Sequence, residues 1–400
     1  MRLLVVTLVL FTVVAGRAWA GFDEGKAAFE RGDWSAAFAQ WQPCAGAGDA
    51  PCQNGLGALY RLGRGVPQDL SAAAAWFRKA ADQGFAKAQA NLANMYAEGA
   101  GLPQDDVAAV QWYRKAAEQG FALAQRELGR LYAAGSGVRK DEVAAFGWYG
   151  KAAAQGDAES EYLLAFAYAR GQGVPADQAQ AASWNRKAAE HGYALAQYQL
   201  GVAYLYGQGM PQDAAEAARW FQAAAAQGNT DAEFNLAVLY SAGSGVARDY
   251  AQAVHWFQAA ADQGSVAAQY NLGVLYYHGN GVAADLAEAA NRFEAAAQHA
   301  YAPAQFALGD MYRKGDGIAA DPVKAYLWLS LAAGTLPAGA DQDNAIKGRD
   351  ATVLAMSPAQ LADAQKLFGD WKPQGQGSLA PARRSAQPVP PLPRSGRGLG

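Results

Sequence analysis

Apolar residues recur with the period of an α-helix along most of this chain. In the segment 88–96, apolar side chains fall at positions i, i+4, i+7 and i+8, which lie on one face of a helix. Gly99 follows where a helix commonly ends in a left-handed conformation. Asp69 precedes a second amphipathic stretch, and an aspartate there can accept hydrogen bonds from the free amides of a helix. The pattern therefore predicts pairs of short helices joined by tight turns.

The same pattern returns every 36 residues without insertion or deletion. An aspartate stands six residues after each first glycine of a Gly-x-Gly pair, from Asp69 to Asp321, and a tryptophan recurs from Trp76 to Trp328, interrupted at Arg292. One helix pair cannot bury both of its faces, whereas stacked pairs can. We therefore expect an all-α fold, a right-handed superhelical α-solenoid of antiparallel helix pairs. The Gly-x-Gly pairs begin at Gly63, Gly99, Gly135, Gly171, Gly207, Gly243, Gly279 and Gly315.

Three linked motifs resemble the Sel1-like repeat, a relative of the tetratricopeptide repeat. They read Ala-x-Ala-Gln-x-x-Leu-Gly-x-x-Tyr, then Gly-x-Gly-Val-x-x-Asp, then Ala-x-x-Trp-φ-x-x-Ala-Ala-x-x-Gly, and they cover residues 63–335. Residues 21–62 resemble the degenerate tetratricopeptide-type start of secreted Sel1 proteins, and residues 336–371 are similar to their C-terminal helical cap. The resemblance implies a binding or scaffolding protein in the assembly or regulation of the cell envelope.

The two ends of the chain differ in composition from the repeats. Residues 1–20 contain Arg2, an apolar run and a final Ala-Trp-Ala, which is typical of a secretory signal peptide cleaved after Ala20. An uncleaved N-terminal anchor is the alternative. Residues 372–400 are rich in Pro, Gly and Arg, so we expect a disordered tail, with a basic segment that contacts anionic polymer or lipid as the alternative. The expected location is periplasmic or secreted.

Charge and motif content argue against several functions. The net charge of the chain is −3, and the excess of positive charge is confined to its two ends, which is unlike a nucleic-acid binder. The Gly-x-Gly pairs lack the preceding strand and third glycine of a dinucleotide site. Ser-x-x-Lys and Gly-x-Ser-x-Gly motifs are absent, and four scattered histidines offer no metal-ligand spacing. We therefore expect no cofactor, no metal and no catalysis, with a cell-wall enzyme as the less favoured alternative.

The two cysteines occupy small-residue positions of the repeat. Cys44 and Cys52 stand one period before Ala80 and Ala88, near the end of one helix and the start of the next. In an antiparallel pair these positions can approach closely enough for a disulfide, which an oxidising compartment would maintain. By resemblance, secreted cysteine-rich Sel1 proteins place disulfides at these positions. We expect a Cys44–Cys52 disulfide, with two free thiols or a redox pair as alternatives.

By resemblance to tetratricopeptide arrays, the first helix of each repeat lines a concave groove. This groove is expected to be polar in the early repeats and aromatic or aliphatic in the later ones. An exposed apolar stripe usually marks an interaction site, and burial against the next repeat is the alternative. We expect the partner to be another envelope or secreted protein, whereas a cell-wall glycan or exopolysaccharide stacked on the aromatic rings is the alternative. The predicted partner-binding residues are Arg126, Arg130, Tyr162, Phe166, Tyr198, Val202, Tyr206, Phe234, Val238, Tyr270, Val274, Tyr277 and Phe306.

Overall fold

The computed structural model describes residues 21–374 and folds them into twenty helices, with no strand in this range. The expected signal peptide (residues 1–20) and residues 375–400 of the expected tail lie outside the described residues. No helix between residues 21 and 374 combines the length and the hydropathy that a membrane crossing requires.

Most helices belong to eight consecutive pairs, in which the first is called helix A and the second helix B. Helix α1 covers residues 21–30 and α2 is Trp34–Gly46. The A helices are α3 Ala50–Leu62, α5 Ala86–Glu98, α7 Ala122–Ala134, α9 Ala158–Arg170, α11 Ala194–Tyr206, α13 Thr230–Ala242, α15 Val266–His278 and α17 Ala302–Lys314. The B helices are α4 Leu70–Asp82, α6 Asp106–Glu118, α8 Glu142–Ala153, α10 Gln178–Glu190, α12 Ala214–Ala225, α14 Tyr250–Asp262, α16 Leu286–Gln298 and α18 Pro322–Thr335. Helices α19 Ala340–Ala355 and α20 Pro358–Asp370 follow.

The chain divides into two compact units after His191. Consecutive helices contact each other from α2 through α10 in the first unit and from α11 through α19 in the second unit. Helix α20 packs on α18. The predicted all-α solenoid of helix pairs is therefore confirmed.

The two glycines of each Gly-x-Gly pair have different physical roles. Gly99 ends α5 with φ 67°, and its amide donates to the Met95 carbonyl, as predicted for a left-handed cap. Gly101 has φ 70°, and a Cβ there would lie 2.3 Å from the backbone of Leu70 at the start of the preceding helix B. The first glycine thus ends the helix, and the second lets the turn approach the previous repeat.

Capping and ring packing complete each pair. The Asp105 carboxylate accepts a hydrogen bond from the Ala108 amide at the start of α6, so the predicted N-cap role is confirmed. Within a pair, an aromatic ring of helix B lies against a glycine of helix A. A Cβ on Gly201 would be 2.7 Å from the ring of Phe221, which is fully buried. The same glycine-to-ring contact occurs at Gly57, Gly129 and Gly273, and alanine takes the glycine position at Ala93, Ala165 and Ala237, so this position accepts only small residues.

A ladder of buried side-chain amides connects consecutive repeats. The Gln89 side chain is buried, its Nε2 donates to the Ala81 carbonyl at 3.2 Å, and its Oε1 accepts from Gln119 Nε2 at 2.8 Å. Such a network stabilises the interior because each buried polar atom has a partner. The same side-chain contact at 2.8 Å joins Gln53 to Gln83, Gln125 to Gln155 and Gln197 to Gln227.

Two repeats place a carboxylate in this ladder. Glu161 Oε2 lies 2.8 Å from His191 Nδ1, and Glu233 accepts from Gln263 Nε2 at 2.8 Å. Burial raises the pKa of Glu233, and the hydrogen bond from Gln263 and the charge of His255 act in the opposite direction. The folded state therefore disfavours the ionised form of Glu233.

The cysteines bridge the first helices. Cys44 of α2 and Cys52 of α3 form a disulfide across a Cα–Cα distance of 6.0 Å, and both side chains are buried. The equivalent positions in the next repeat are Ala80 and Ala88, which are fully buried. The disulfide thus joins α2 to α3 at a pair of positions that is occupied by fully buried alanines one repeat later.

We predict that Gly137→Ala destabilises the protein by about 2–4 kcal/mol, because its φ of 65° strains an L-residue and the new Cβ would lie 2.2 Å from the Asp106 carbonyl oxygen. Gly147→Ala in α8 is the control, since no atom lies within 4 Å of its Cβ position. That change should be neutral or stabilise the helix by about 0.5–1 kcal/mol. Chemical denaturation compares the two variants, and equal midpoints would contradict the close-approach role.

We predict that Glu233→Gln stabilises the protein at pH 7 by about 1 kcal/mol, because it removes a buried charge and supplies the amide donor of the other ladder positions. Because burial raises the pKa of Glu233 in the folded state, ionising this carboxylate destabilises the fold. This destabilisation is absent below the unfolded-state pKa and develops as the pH rises through the folded-state pKa. The gain should therefore shrink toward pH 4. The reverse change, Gln89→Glu, should destabilise at pH 7. Thermal melts of both variants at the two pH values measure this, and a pH-independent difference would refute the charge argument.

Candidate interaction surface

All thirteen predicted partner-binding residues lie in A helices, from α7 to α17. The structure separates them into three groups. Two arginines form ion pairs, several apolar side chains are packed into the helix layers, and the remaining aromatic side chains are half-buried except for Tyr206, which is exposed at the end of α11. Each group has a different capacity to contact a partner.

The two arginines are neutralised inside the first unit. Arg126 Nη1 lies 2.9 Å from Asp157 Oδ2 and 3.2 Å from Glu159, and its Nε is 3.1 Å from Glu127. The pKa of the Arg126 guanidinium is raised overall: burial acts to lower it, and the neighbouring carboxylates, Asp157 foremost, outweigh that effect. Arg130 also pairs with Glu159. These arginines fix one A helix to the next and present little unbalanced positive charge.

Three of the five repeated aromatic residues are buried, so the expectation of an exposed stripe is wrong for them. Phe234 is 8% exposed, Tyr270 7% and Phe306 5%. Phe234 packs on Phe257 and Tyr270 packs on Phe293, each with ring centroids 5.6 Å apart. The aromatic ring of helix B fills the space beneath each of these two side chains, which leaves little area for a partner.

The neighbouring aliphatic position behaves in the same way. Val202 and Val238 are buried, and Val274 is half-buried. Tyr198 is half-buried with its ring centroid 5.9 Å from that of Phe221, and burial raises the pKa of its hydroxyl to about 12, with the Asp231 charge adding to the effect. These contacts match the alternative in which the apolar residues pack between helices.

Of the remaining predicted residues, Tyr206 is the most exposed. Its exposed fraction is 43%, and it is the last residue of α11. Tyr162 and Phe166 are half-buried, and the Arg170 guanidinium lies over the Phe166 ring at 5.2 Å. Tyr277 is half-buried and its hydroxyl donates to Asp316 at 3.4 Å. That these four residues contact a partner stays a prediction.

The last residue of every A helix is exposed, and its chemistry changes from repeat to repeat. We call this set the helix-A terminal row. Its members include apolar, acidic, small, basic and aromatic side chains, although the following glycine is the same in all eight repeats. The row consists of Leu62, Glu98, Ala134 and Arg170 in the first unit and of Tyr206, Ala242, His278 and Lys314 in the second. Sequence reasoning placed this position in the groove but took the aromatic residues eight positions earlier as its centre.

The repeated architecture corresponds to a known family. The family model described as Sel1 repeat matches residues 50–85, 86–121, 122–157, 158–193, 194–229, 230–265, 266–301 and 302–333, so the chain belongs to the Sel1 repeat family. Proteins of this family are in general non-catalytic scaffolds with a tetratricopeptide-like fold that mediate protein–protein interactions.

Two solved structures are similar over much of their length. A protective antigen of uropathogenic Escherichia coli that displays an SLR fold is 30% identical, with a TM-score of 0.51 over 89% of this chain and 84% of that chain. A Sel1 repeat protein from Oxalobacter formigenes is 34% identical, with a TM-score of 0.57 over 60% of this chain and 99% of that chain. No curated protein sequence matches this chain.

We predict that Phe234→Ala lowers stability by about 3–5 kcal/mol, because it leaves a cavity beside Phe257. Tyr206→Ala should change stability by less than about 1 kcal/mol, since its ring is largely solvated. Thermal melts of the two variants provide the comparison. Equal stability losses would mean that the buried and exposed positions have been assigned wrongly.

Proposed function

We propose that this protein is a non-catalytic scaffold that binds a segment of another envelope or secreted protein along the part of the helix-A terminal row that lies in the second unit. The observation that carries this proposal is the combination of a fixed framework with four exposed positions of different chemistry, Tyr206, Ala242, His278 and Lys314. The glycines, caps, ladder amides and packed rings have structural roles in the repeat. The terminal row has no such common role, so its residues are available to distinguish one partner from another.

The second unit supplies the strongest contact chemistry in this row. Tyr206 offers an exposed aromatic ring, and aromatic anchors contribute strongly to interfaces because they bury much area at low entropic cost. His278 is exposed at the equivalent position two repeats later, whereas the Lys314 ammonium is already paired with Asp310 at 2.8 Å. An aromatic anchor followed by an imidazole suits an extended segment that has an apolar residue and a hydrogen-bonding group near it.

The proposed setting is outside the cytoplasm. The Cys44–Cys52 disulfide supports it, because structural disulfides persist in oxidising compartments. The signal-peptide pattern in residues 1–20 points the same way. Glycan binding in the groove receives less support, since a sugar ring needs an open aromatic face and the Phe234 and Tyr270 rings are packed on other rings.

Site-specific photo-crosslinking in the native cell tests the proposal. A photoreactive residue at position 206 should form an adduct with a protein, seen as a band that protease removes and glycan digestion does not. The matched control is position 222, which is exposed on helix B of the same unit. The adduct at position 206 should weaken when His278 is changed to Ala.

Two results would contradict the proposal. One is an adduct of equal yield and identity at positions 206 and 222, which would indicate random collision. The other is an adduct at position 206 that glycan digestion removes, which would favour the polysaccharide alternative.

A further inference from the structure

A row of lysines on the B helices of the first unit has no carboxylate partner within the described residues, 21–374. Each lysine is exposed and its Nζ lies between 3.8 Å and 4.1 Å from the ring centroid of the tryptophan three residues earlier. Lysine ion pairs among residues 21–374 involve other lysines, namely Lys26, Lys140 and Lys314. The row consists of Lys79 on Trp76, Lys115 on Trp112, Lys151 on Trp148 and Lys187 on Trp184. We call it the lysine–tryptophan row.

The lysines are not required for the fold, because the second unit dispenses with them. Trp220 and Trp256 keep the tryptophan position, and the residues three positions later are Ala223 and Ala259. Trp256 packs against the apolar clusters of its own and the preceding repeat, as Trp112 does in the first unit. The tryptophans therefore serve inter-repeat packing with or without a lysine above them.

The row presents evenly spaced and pre-oriented positive charges. A cation held over an indole has fewer accessible rotamers, so less entropy is lost when it meets an anion. Acidic residues follow three positions after the lysine in three of the four repeats, at Asp82, Glu118 and Glu190. Three of the lysines also follow an arginine, at Arg78, Arg114 and Arg186, and these are the same repeats that carry the carboxylates. The arginine and the carboxylate offset each other, so each repeat is left with one net positive charge. The row therefore matches a ligand whose anionic groups are sparse and regular.

We propose that the lysine–tryptophan row binds an acidic polysaccharide, a linear polymer that carries carboxylates at regular intervals. A periodic row of single cations fits a periodic polymer. Nucleic acid is a poorer match, since its dense phosphates would meet the carboxylates at positions 82, 118 and 190. This surface lies on the B helices and is separate from the helix-A terminal row.

Binding of the full chain to polygalacturonate tests the inference. The variant Lys79→Ala, Lys115→Ala, Lys151→Ala, Lys187→Ala should bind roughly tenfold to a hundredfold more weakly, as expected for the loss of four exposed charge contacts. Its melting temperature should change little, because alanine already occupies the equivalent positions 223 and 259. The control variant Lys87→Ala, Lys140→Ala, Lys347→Ala, Lys366→Ala removes the same charge from exposed positions outside the row and should bind like the wild type.

Three outcomes would reject the proposal. Equal weakening in both quadruple variants would show a non-specific charge effect. Polyglutamate that binds as tightly as polygalacturonate would point to an acidic protein segment, and tighter binding to anionic phospholipid vesicles would point to a membrane surface. Tyr206→Ala should leave polygalacturonate binding unchanged, so failure here can be told apart from failure of the scaffold proposal.

Discussion

Within each unit, the close approach of a Gly-x-Gly turn to the helix of the preceding repeat is the contact on which the repeated architecture depends. At Gly101, Gly137 and Gly245 a Cβ would lie between 2.1 Å and 2.3 Å from the backbone of the previous repeat. No side chain fits there, and φ is positive at all three positions. The spacing of neighbouring repeats is therefore set by backbone against backbone, which allows little variation. The amide ladder and the ring-on-glycine contacts can recur because this spacing is the same each time.

The sequence was sufficient for the framework because its signals are local. The glycine caps, the aspartate N-caps and the helix pairing each follow from residues a few positions apart, and the structure places Gly99 and Asp105 as predicted. The Cys44–Cys52 disulfide could be predicted from the places of the two residues in the repeat. The exposure of the aromatic residues could not be predicted, because it depends on the distance to a neighbouring helix. Phe234 is buried since the ring of Phe257 and the following A helix occupy the space that sequence reasoning assigned to a groove.

The amide ladder and the lysine–tryptophan row were missed for different reasons. A signal for the ladder was present, since Gln89 and Gln125 sit beside buried alanine and leucine at the same position of the repeat, where a polar side chain needs a buried partner. The lysine–tryptophan row was also visible as a three-residue spacing within one helix turn. Recognising the row as a candidate binding surface requires knowing that its lysines have no carboxylate partner among residues 21–374, and this depends on how the helices pack.

A solenoid whose spacing is fixed by glycine and amide contacts can change its exposed residues at little cost to its stability. Substitutions at terminal-row positions such as Tyr206 leave the glycine and amide contacts between repeats intact, whereas a change at Gly137 or Gln89 alters two repeats at once. Glu98 is an exception in the row, because its carboxylate pairs with Arg61 of the preceding repeat at 3.0 Å. This separation explains how the first unit can place lysines over its tryptophans while Trp220 and Trp256 of the second unit have alanines three residues later. Residues that differ between otherwise equivalent repeats are therefore the informative ones for function. Both proposed binding surfaces consist of such residues, since the glycines of the Gly-x-Gly pairs, which all repeats share, are already committed to the fold.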